Sequence, residues 1–343
     1  MNTSLVYRMM RHASIAGVVA VGALVGLDVL PVTAQTFTMK IGADTVNDVQ
    51  HEWLKRFGGR VEQRSGGRIK AQFYPSAQLG GSSAEIKGMQ LGTIEARIGP
   101  GAFLGGLDPR FQVLDAPGWF VDMEHVRRTL ADPKFRNAFF EVPKSKGLIG
   151  VSLVVYGPSS FVSKQPLRSL ADFRGKKIRV MGSPMQTTPI RQLGGTASPI
   201  AWAETLPALQ QGVIDGVKSA LPAFTSVKFY DAAKYLTATD DSVLVSVGLV
   251  SKIWFDRLPA DLQKIIIEEG SAVEPELLQV TMDAYERSSK EWIDNGGEII
   301  KLAAGEQNKL REQLAGVGPE VLKDQPQVRA LYDLLIAAAK ANR

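Results

Sequence analysis

Between Thr36 and Ile98 the hydrophobic pattern switches repeatedly between a period of two and a period of 3.6, and short glycine-rich joints mark each switch. Thr36–Ala43 alternates, with Phe37, Met39 and Ile41 on one face. Val49–Gln63 then carries Trp53, Leu54, Phe57 and Val61 at helical spacing behind the capping segment Asp44–Asp48. Ser65-Gly-Gly67 stops that helix, Ile69–Tyr74 reads as a second strand, Ala84–Leu91 as a helix ended by Gly92, and Ile94–Ile98 as a third strand. Strands alternating with helices of this length predict an open α/β sheet.

The rhythm returns downstream. Val151–Tyr156 and Ser159–Ser163 read as strands crossing from one domain to another, with Pro166–Asp172 punctuating the passage. A strand from Lys176 to Met181, a helix Pro184–Leu193, a short strand, a helix Ala203–Gln211 and a strand Val213–Val217 follow. Ser242–Val250 is rich in β-branched residues and carries the chain back. Pro259–Gly296 is nearly free of helix breakers, so it reads either as one rod of about 50 Å or as two helices broken at Gly270 or Pro275. Gln307–Leu314 and Val328–Ala341 close the chain as helices. At 343 residues and 45% hydrophobic content there is enough chain for two cores.

The N-terminus reads as an export signal. Arg8, Arg11 and His12 precede an apolar run from Ala13 to Leu27, and Val32-Thr-Ala34 offers small residues for cleavage ahead of Gln35. That run is shorter than the roughly 20 residues a membrane-spanning helix needs. The expected location is the periplasm. Removing residues 1–34 takes away Arg8, Arg11 and Asp28, so the +5 of the whole chain becomes +4, without a basic run dense enough for nucleic acid. The absence of cysteine excludes disulfides, thiolate metal sites and a lipidated N-terminal cysteine.

Enzymatic chemistry finds little to work with. Beyond the leader the histidines are His51 and His125, and His51-Glu-Trp-Leu-Lys55 lacks the second histidine of a zinc-protease helix. The chain has no G-x-S-x-G elbow. The acid pairs Asp240-Asp241 and Glu268-Glu269 occupy adjacent positions, whose side chains diverge. Gly99–Gly106 has Leu104 where a dinucleotide loop needs glycine, and reads as a plain connector. Arg179 stands out instead. A cation at the end of an apolar strand is costly to bury unless an anion answers it, and its fork of donors suits a carboxylate. From spacing alone, that anion is either a captured organic acid or Asp215 on the next strand.

Asp172-Phe-Arg-Gly-Lys-Lys-Ile-Arg-Val180 resembles the D-x-x-G-x-K-[IL]-R-V motif of periplasmic solute receptors of tripartite ATP-independent periplasmic (TRAP) transporters, of the C4-dicarboxylate-receptor type. Pro199–Glu204, Ala208–Gly216, Gln78–Gly81, Gly92–Glu95 and Asp115–Phe120 support the resemblance in order and spacing, over nearly all of the mature chain. It implies a two-lobed α/β periplasmic binding fold, with a hinge of crossing strands and a long helix spanning both lobes. Lobe I is expected at 35–156 plus 246–285, and lobe II at 157–245 plus 286–343. The resemblance further implies a receptor, with no catalysis, cofactor or metal, that hands a small carboxylate to a membrane permease. A ligand-presenting role toward a sensor kinase is the alternative partnership.

Carried onto this chain, the resemblance makes Arg179 the carboxylate clamp, Trp202 an aromatic over the ligand and Ser219 the replacement for a ligand-binding asparagine. Asp44 and Glu95 would face the cleft from the first lobe. Three departures bear on the ligand: Gly157-Pro-Ser-Ser-Phe161 lacks the second arginine many members carry, Arg179-Val-Met-Gly182 lacks an asparagine, and Lys218-Ser219 replaces Glu-Asn. With Met181, Phe161 and Trp202 as apolar bulk, the expected ligand is a monocarboxylate with an apolar, aromatic or keto tail. Lys218, read as solvated, is the group left to answer a second carboxylate. A C4-dicarboxylate or sugar acid is the alternative.

Overall fold

The computed structural model describes residues 35–343; the export signal expected over residues 1–34 lies outside them. A nine-stranded mixed sheet runs through the described chain. Its strands are β1 (Phe37–Ala43), β2 (Ile69–Tyr74), β3 (Ala96–Pro100), β4 (Leu148–Ser163), β5 (Lys177–Val180), β6 (Thr196–Pro199), β7 (Gly216–Ala220), β8 (Tyr235–Ser251) and β9 (Glu298–Lys301). The order is β2-β1-β3-β8-β4-β7-β5-β6, with β9 beside β8.

Two parallel sets emerge from that order. β1 pairs in parallel with β2 and β3, while β5 pairs in parallel with β6 and β7. The long strands β4 and β8 run antiparallel to each other between the sets, and irregularities between Gly150 and Ser152, Val155 and Gly157, and Pro158 and Ser160 break their register. One end of β8 borders β3, and the far end of β4 borders β7. The crossing strands expected from sequence are therefore two continuous ones, bent by bulges rather than interrupted.

Local chemistry sets the boundaries. Met39, Ile41 and Ala43 bury one face of β1. The Asp48 carboxylate accepts from Gln50 N and His51 N at the start of helix Val49–Arg64, and Gly92 ends helix Ser82–Leu91 at φ 74°. The second set starts later than predicted: β7 begins at Gly216, not Val213, which puts Lys218 and Ser219 inside a strand. Helices Met123–Leu130 and Pro133–Lys144 went unread, although Asp122 and Asp132 cap them and Pro133 occupies the first turn of the second.

The long helical stretch is two helices, Ala260–Ala272 and Glu274–Asp294, with Pro275 in the first turn of the second. Gly270 is not the break. It lies inside the first helix, where the position requires glycine because a Cβ there would stand 2.6 Å from Val151 Cβ. The second helix spans both strand sets: Leu277 joins the core around Trp53 and Phe57, and Trp292 joins the core around Phe224 and Phe229.

Candidate ligand-binding site

Small molecules bind open α/β sheets beyond the carboxyl ends of the parallel strands. Residues at those ends converge here from both sets. Asp44 follows β1, Ser76 and Ala77 follow β2, and Phe103 follows β3; Gly182 follows β5, and Ile200 to Ala203 follow β6. With Gly81 to Ala84 they line a cleft of about 550 Å³. Asp44, Phe103 and Trp202 also wall a second, inner chamber of about 20 Å³ that takes in Arg179, Met181, Ser219, Gln50 and Tyr156.

Arg179 is 1% exposed. Its Nε donates to the Ile200 carbonyl at 2.9 Å and its Nη1 to the Lys218 carbonyl at 3.4 Å, while Nη2 has no partner. The guanidinium carbon lies 5.5 Å from the Trp202 ring centre and 6.0 Å from that of Phe103. Burial pulls the group down to about 10, and the nearby charge of Asp44 pushes it back up, so it stays cationic at neutral pH. A buried cation held by two carbonyls, with one donor free, is arranged to accept an anion. Asp215 does not supply it: that carboxylate accepts from Lys177 N at 2.8 Å, in a turn.

The facing wall is built on Arg97, 0% exposed, whose Nη2 lies 3.0 Å from Asp44 Oδ2 and whose Nε lies 3.0 Å from Glu85 Oε2. Ser82 donates to Asp44 at 2.7 Å. Asp44 is thereby held at the cleft edge with its charge compensated. Gly99 makes room: a Cβ there would fall 2.6 Å from Arg97 Nη2 and 2.9 Å from Asp44 Oδ2.

Residues 42–324 match the model of the bacterial extracellular solute-binding protein family 7 (DctP). The chain belongs to that family. A solute-binding protein of Verminephrobacter eiseniae is 32% identical over 237 residues, 68% of this chain and 70% of the relative. The 2,3-diketo-L-gulonate-binding periplasmic protein YiaO of Escherichia coli is 26% identical over 289 residues, 84% of this chain and 81% of YiaO. Among solved structures, a TRAP periplasmic solute-binding protein of Desulfovibrio salexigens with bound orotic acid superposes with a TM-score of 0.84 at 26% identity, covering 90% of this chain and 100% of that one.

Within this family 7 chain, the structure gathers Asp44, Arg179, Met181, Trp202 and Ser219 around the inner chamber. Two expected site residues lie elsewhere. Glu95 sits before the start of β3, at the end away from the cleft, where it accepts from Lys40 N at 2.9 Å and burial raises its carboxyl above the usual range. Arg97 lies on the same face of the strand but nearer its carboxyl end, so it reaches Asp44 where Glu95 cannot. Phe161 packs edge-on against Phe173 at 4.9 Å in a separate core with Ile178 and Val180. Strand alternation explains it: Phe161 pairs with Lys218 on one face of the sheet, and Ser160 pairs with Ser219 on the other.

Lys218 is likewise not the solvated lysine expected. It is 2% exposed, bonded to Asp241 and lies 5.6 Å from the Phe161 ring centre, on the face turned from Ser219. It cannot answer a second carboxylate in the cleft. Sequence reading missed Gln50, Arg97, Phe103 and Tyr156. Arg97 carried a signal, since it lies two residues beyond Glu95 in a predicted strand.

Proposed function

We propose that this chain is a periplasmic receptor that clamps one carboxylate of a small acid on Arg179 and hands the acid to a TRAP permease. The unpartnered, buried Nη2 of Arg179 carries this reading. A carboxylate oxygen placed there forms a charge-assisted bond in a dry site, roughly twice as strong as a neutral one. Trp202 and Phe103 flank the clamp and supply a surface for a planar or apolar tail. Asp44 stands opposite as an acceptor for a donor on that tail.

The acid is a monocarboxylate with an apolar, aromatic or keto tail. Arg97 is ion-paired with Asp44 and Glu85 and, although its Nη1 is unpartnered, it lines neither the cleft nor the inner chamber; Lys218 is paired with Asp241, so neither meets a second carboxylate. The names of two similar proteins agree in charge, since 2,3-diketo-L-gulonate and orotate each carry a single carboxylate. Residues 35–156 with 246–285 and residues 157–245 with 286–343 would close on the ligand as lobes, hinged at the bulges of β4 and β8. Closure removes water from the clamp and strengthens it.

A thermal-shift screen against dicarboxylates, sugar acids, keto acids and aromatic acids tests the reading. A ligand at about a hundredfold excess over its dissociation constant adds about 2.7 kcal/mol of stability. Stabilisation by monocarboxylates that disappears in Arg179→Ala supports the clamp. Stabilisation by succinate or malate in preference to every monocarboxylate refutes the ligand class, and the same response in Arg179→Ala refutes the clamp.

A further inference from the structure

Besides the Thr45 hydroxyl, which can donate or accept, the inner chamber sets against Arg179 Nη2 a second unpartnered group that can only accept. Gln50, the second residue of helix Val49–Arg64, is 1% exposed; its Nε2 donates to Ser246 Oγ at 3.3 Å, and its Oε1 has no partner. Both side chains line the same chamber of about 20 Å³. One is a donor and the other an acceptor. Each is costly to keep buried and unpaired, by about 1–3 kcal/mol.

Of the other polar groups that line the chamber, two are already committed. The Tyr156 hydroxyl donates to Asp48 Oδ2 at 2.6 Å, and Asp44 takes Arg97 and Ser82. Pro100, Met181, Ala223 and Leu244 supply only apolar surface. A chamber of this size admits about one to two water-sized polar atoms, room for a carboxylate oxygen and the group beside it and no more. The body of a ligand therefore stays in the larger cleft, which meets the chamber at Asp44, Phe103 and Trp202.

We propose that Gln50 is a specificity residue that selects acids bearing a hydrogen-bond donor on the atom next to the carboxylate, a 2-hydroxyl or a ring N–H. This rests on Arg179 as the clamp. With the carboxylate on Nη2, the atom nearest the head group falls to Gln50 Oε1. A hydroxyl or N–H there donates and satisfies the amide oxygen. A 2-keto oxygen sets a lone pair against a lone pair, and a methylene leaves Oε1 unpaired. Within the monocarboxylates, the site thus favours 2-hydroxy acids and heteroaromatic acids with an adjacent N–H over their 2-keto and 2-deoxy counterparts, while a keto group farther along the tail lies in the larger cleft and is unaffected.

Calorimetric titration of the full chain with two matched probe sets tests this. Mandelate, phenylacetate and phenylglyoxylate differ only at the atom beside the carboxylate, as do lactate, propionate and pyruvate. In the wild type, the hydroxy acid of a set should bind about tenfold more tightly than its deoxy and keto partners. In Gln50→Met, which keeps the bulk and removes the acceptor, the ratio should collapse to within about twofold while the deoxy acid keeps its affinity.

An unchanged ratio in Gln50→Met overturns the proposal. So does a wild-type ranking with the keto acid first or all members equal, the last being the result for a chamber that holds only an ordered water. The wild-type ranking decides the matter alone if Gln50→Met does not fold. Arg179→Ala separates the two readings: loss of all probes supports the clamp whatever the ratios, and retention of all probes removes the clamp even where the ratios hold. A wild type that binds neither set overturns both.

Discussion

Arg97 Nη2 lies 3.0 Å from Asp44 Oδ2, with Asp44 at the cleft edge and Arg97 buried behind it. Glu85 shares the same guanidinium, so one cation serves two carboxylates. Burial raises the Glu85 carboxyl, Arg97 draws it down, and the charge of Asp44 raises it again. Removing the cation strands two acids in low dielectric. Arg97→Met should therefore cost about 3–5 kcal/mol in urea unfolding at neutral pH. Gly99→Ala should be destabilising through the same pair, because its Cβ would displace the guanidinium. A loss below about 1 kcal/mol in Arg97→Met would show that the cluster contributes no net stability.

Arg179 should behave in the opposite way. It is buried with one donor unpaired and burial already disfavours its charge, so as the proposed clamp it would weaken the empty protein. Arg179→Met should leave the unfolding midpoint unchanged or raise stability by about 1–2 kcal/mol while abolishing ligand-induced stabilisation. Arg179→Lys should also bind poorly, since a lysine cannot hold both the Ile200 carbonyl and a carboxylate in the arginine's geometry. A strongly destabilised Arg179→Met would mark the residue as structural.

Much of the sheet was legible because its signal is local. The alternation of Met39, Ile41 and Ala43 states which face of β1 is buried, whatever lies beyond it. Arg179 was legible because a cation ending an apolar strand conflicts with its surroundings. Depth along a strand is not local, however. Glu95 and Arg97 have the same parity, and only the pairing of β3 with β1 shows which of them reaches the carboxyl end. Phe161 and Lys218 went astray for the converse reason: the register of β4 on β7 assigns their face, and the sequence does not print that register. Gln50 read as an ordinary first-turn polar residue, since nothing nearby announces that Ser246, far along the chain, covers it.

The placement of Lys218 makes its own prediction. Lys218 and Asp241 are both buried, and Ser159 and Thr239 donate to the same carboxylate at 2.8 and 2.6 Å. Lys218→Met should cost about 3–5 kcal/mol by leaving Asp241 charged and short of a partner, and Asp241→Asn added to it should recover part of that loss. Ligand ranking should not change, because the pair lies across the sheet from Ser219. A Lys218→Met variant that folds well and switches between mono- and dicarboxylates would return Lys218 to the binding site.

Asp115 gives the protein a pH dependence of definite sign. Its carboxylate accepts from Ser183 Oγ at 2.7 Å and from Gln186 Nε2 at 3.3 Å, next to the segment that carries Gly182 into the cleft. Burial lifts it from the ordinary 3.8 to about 6, against the pull of the two hydrogen bonds and of Lys218. Between those values the folded state holds a proton that the unfolded chain has released. The stability Asp115 contributes is therefore fully present below about 3.8 and is lost as the pH climbs through about 6, a change on the order of 3 kcal/mol. Asp115→Asn keeps a polar group at Ser183 and Gln186 without the titration. Urea midpoints from about pH 4.5 to 7.5 should thus fall more steeply in the wild type than in Asp115→Asn, with the variant the more stable at the upper end. Taking the difference between the two proteins removes the contribution of Glu85 and the other buried acids. A variant that loses stability equally at every pH would mean that Asp115 enters the folded state as a carboxylate and that its hydrogen bonds outweigh its burial.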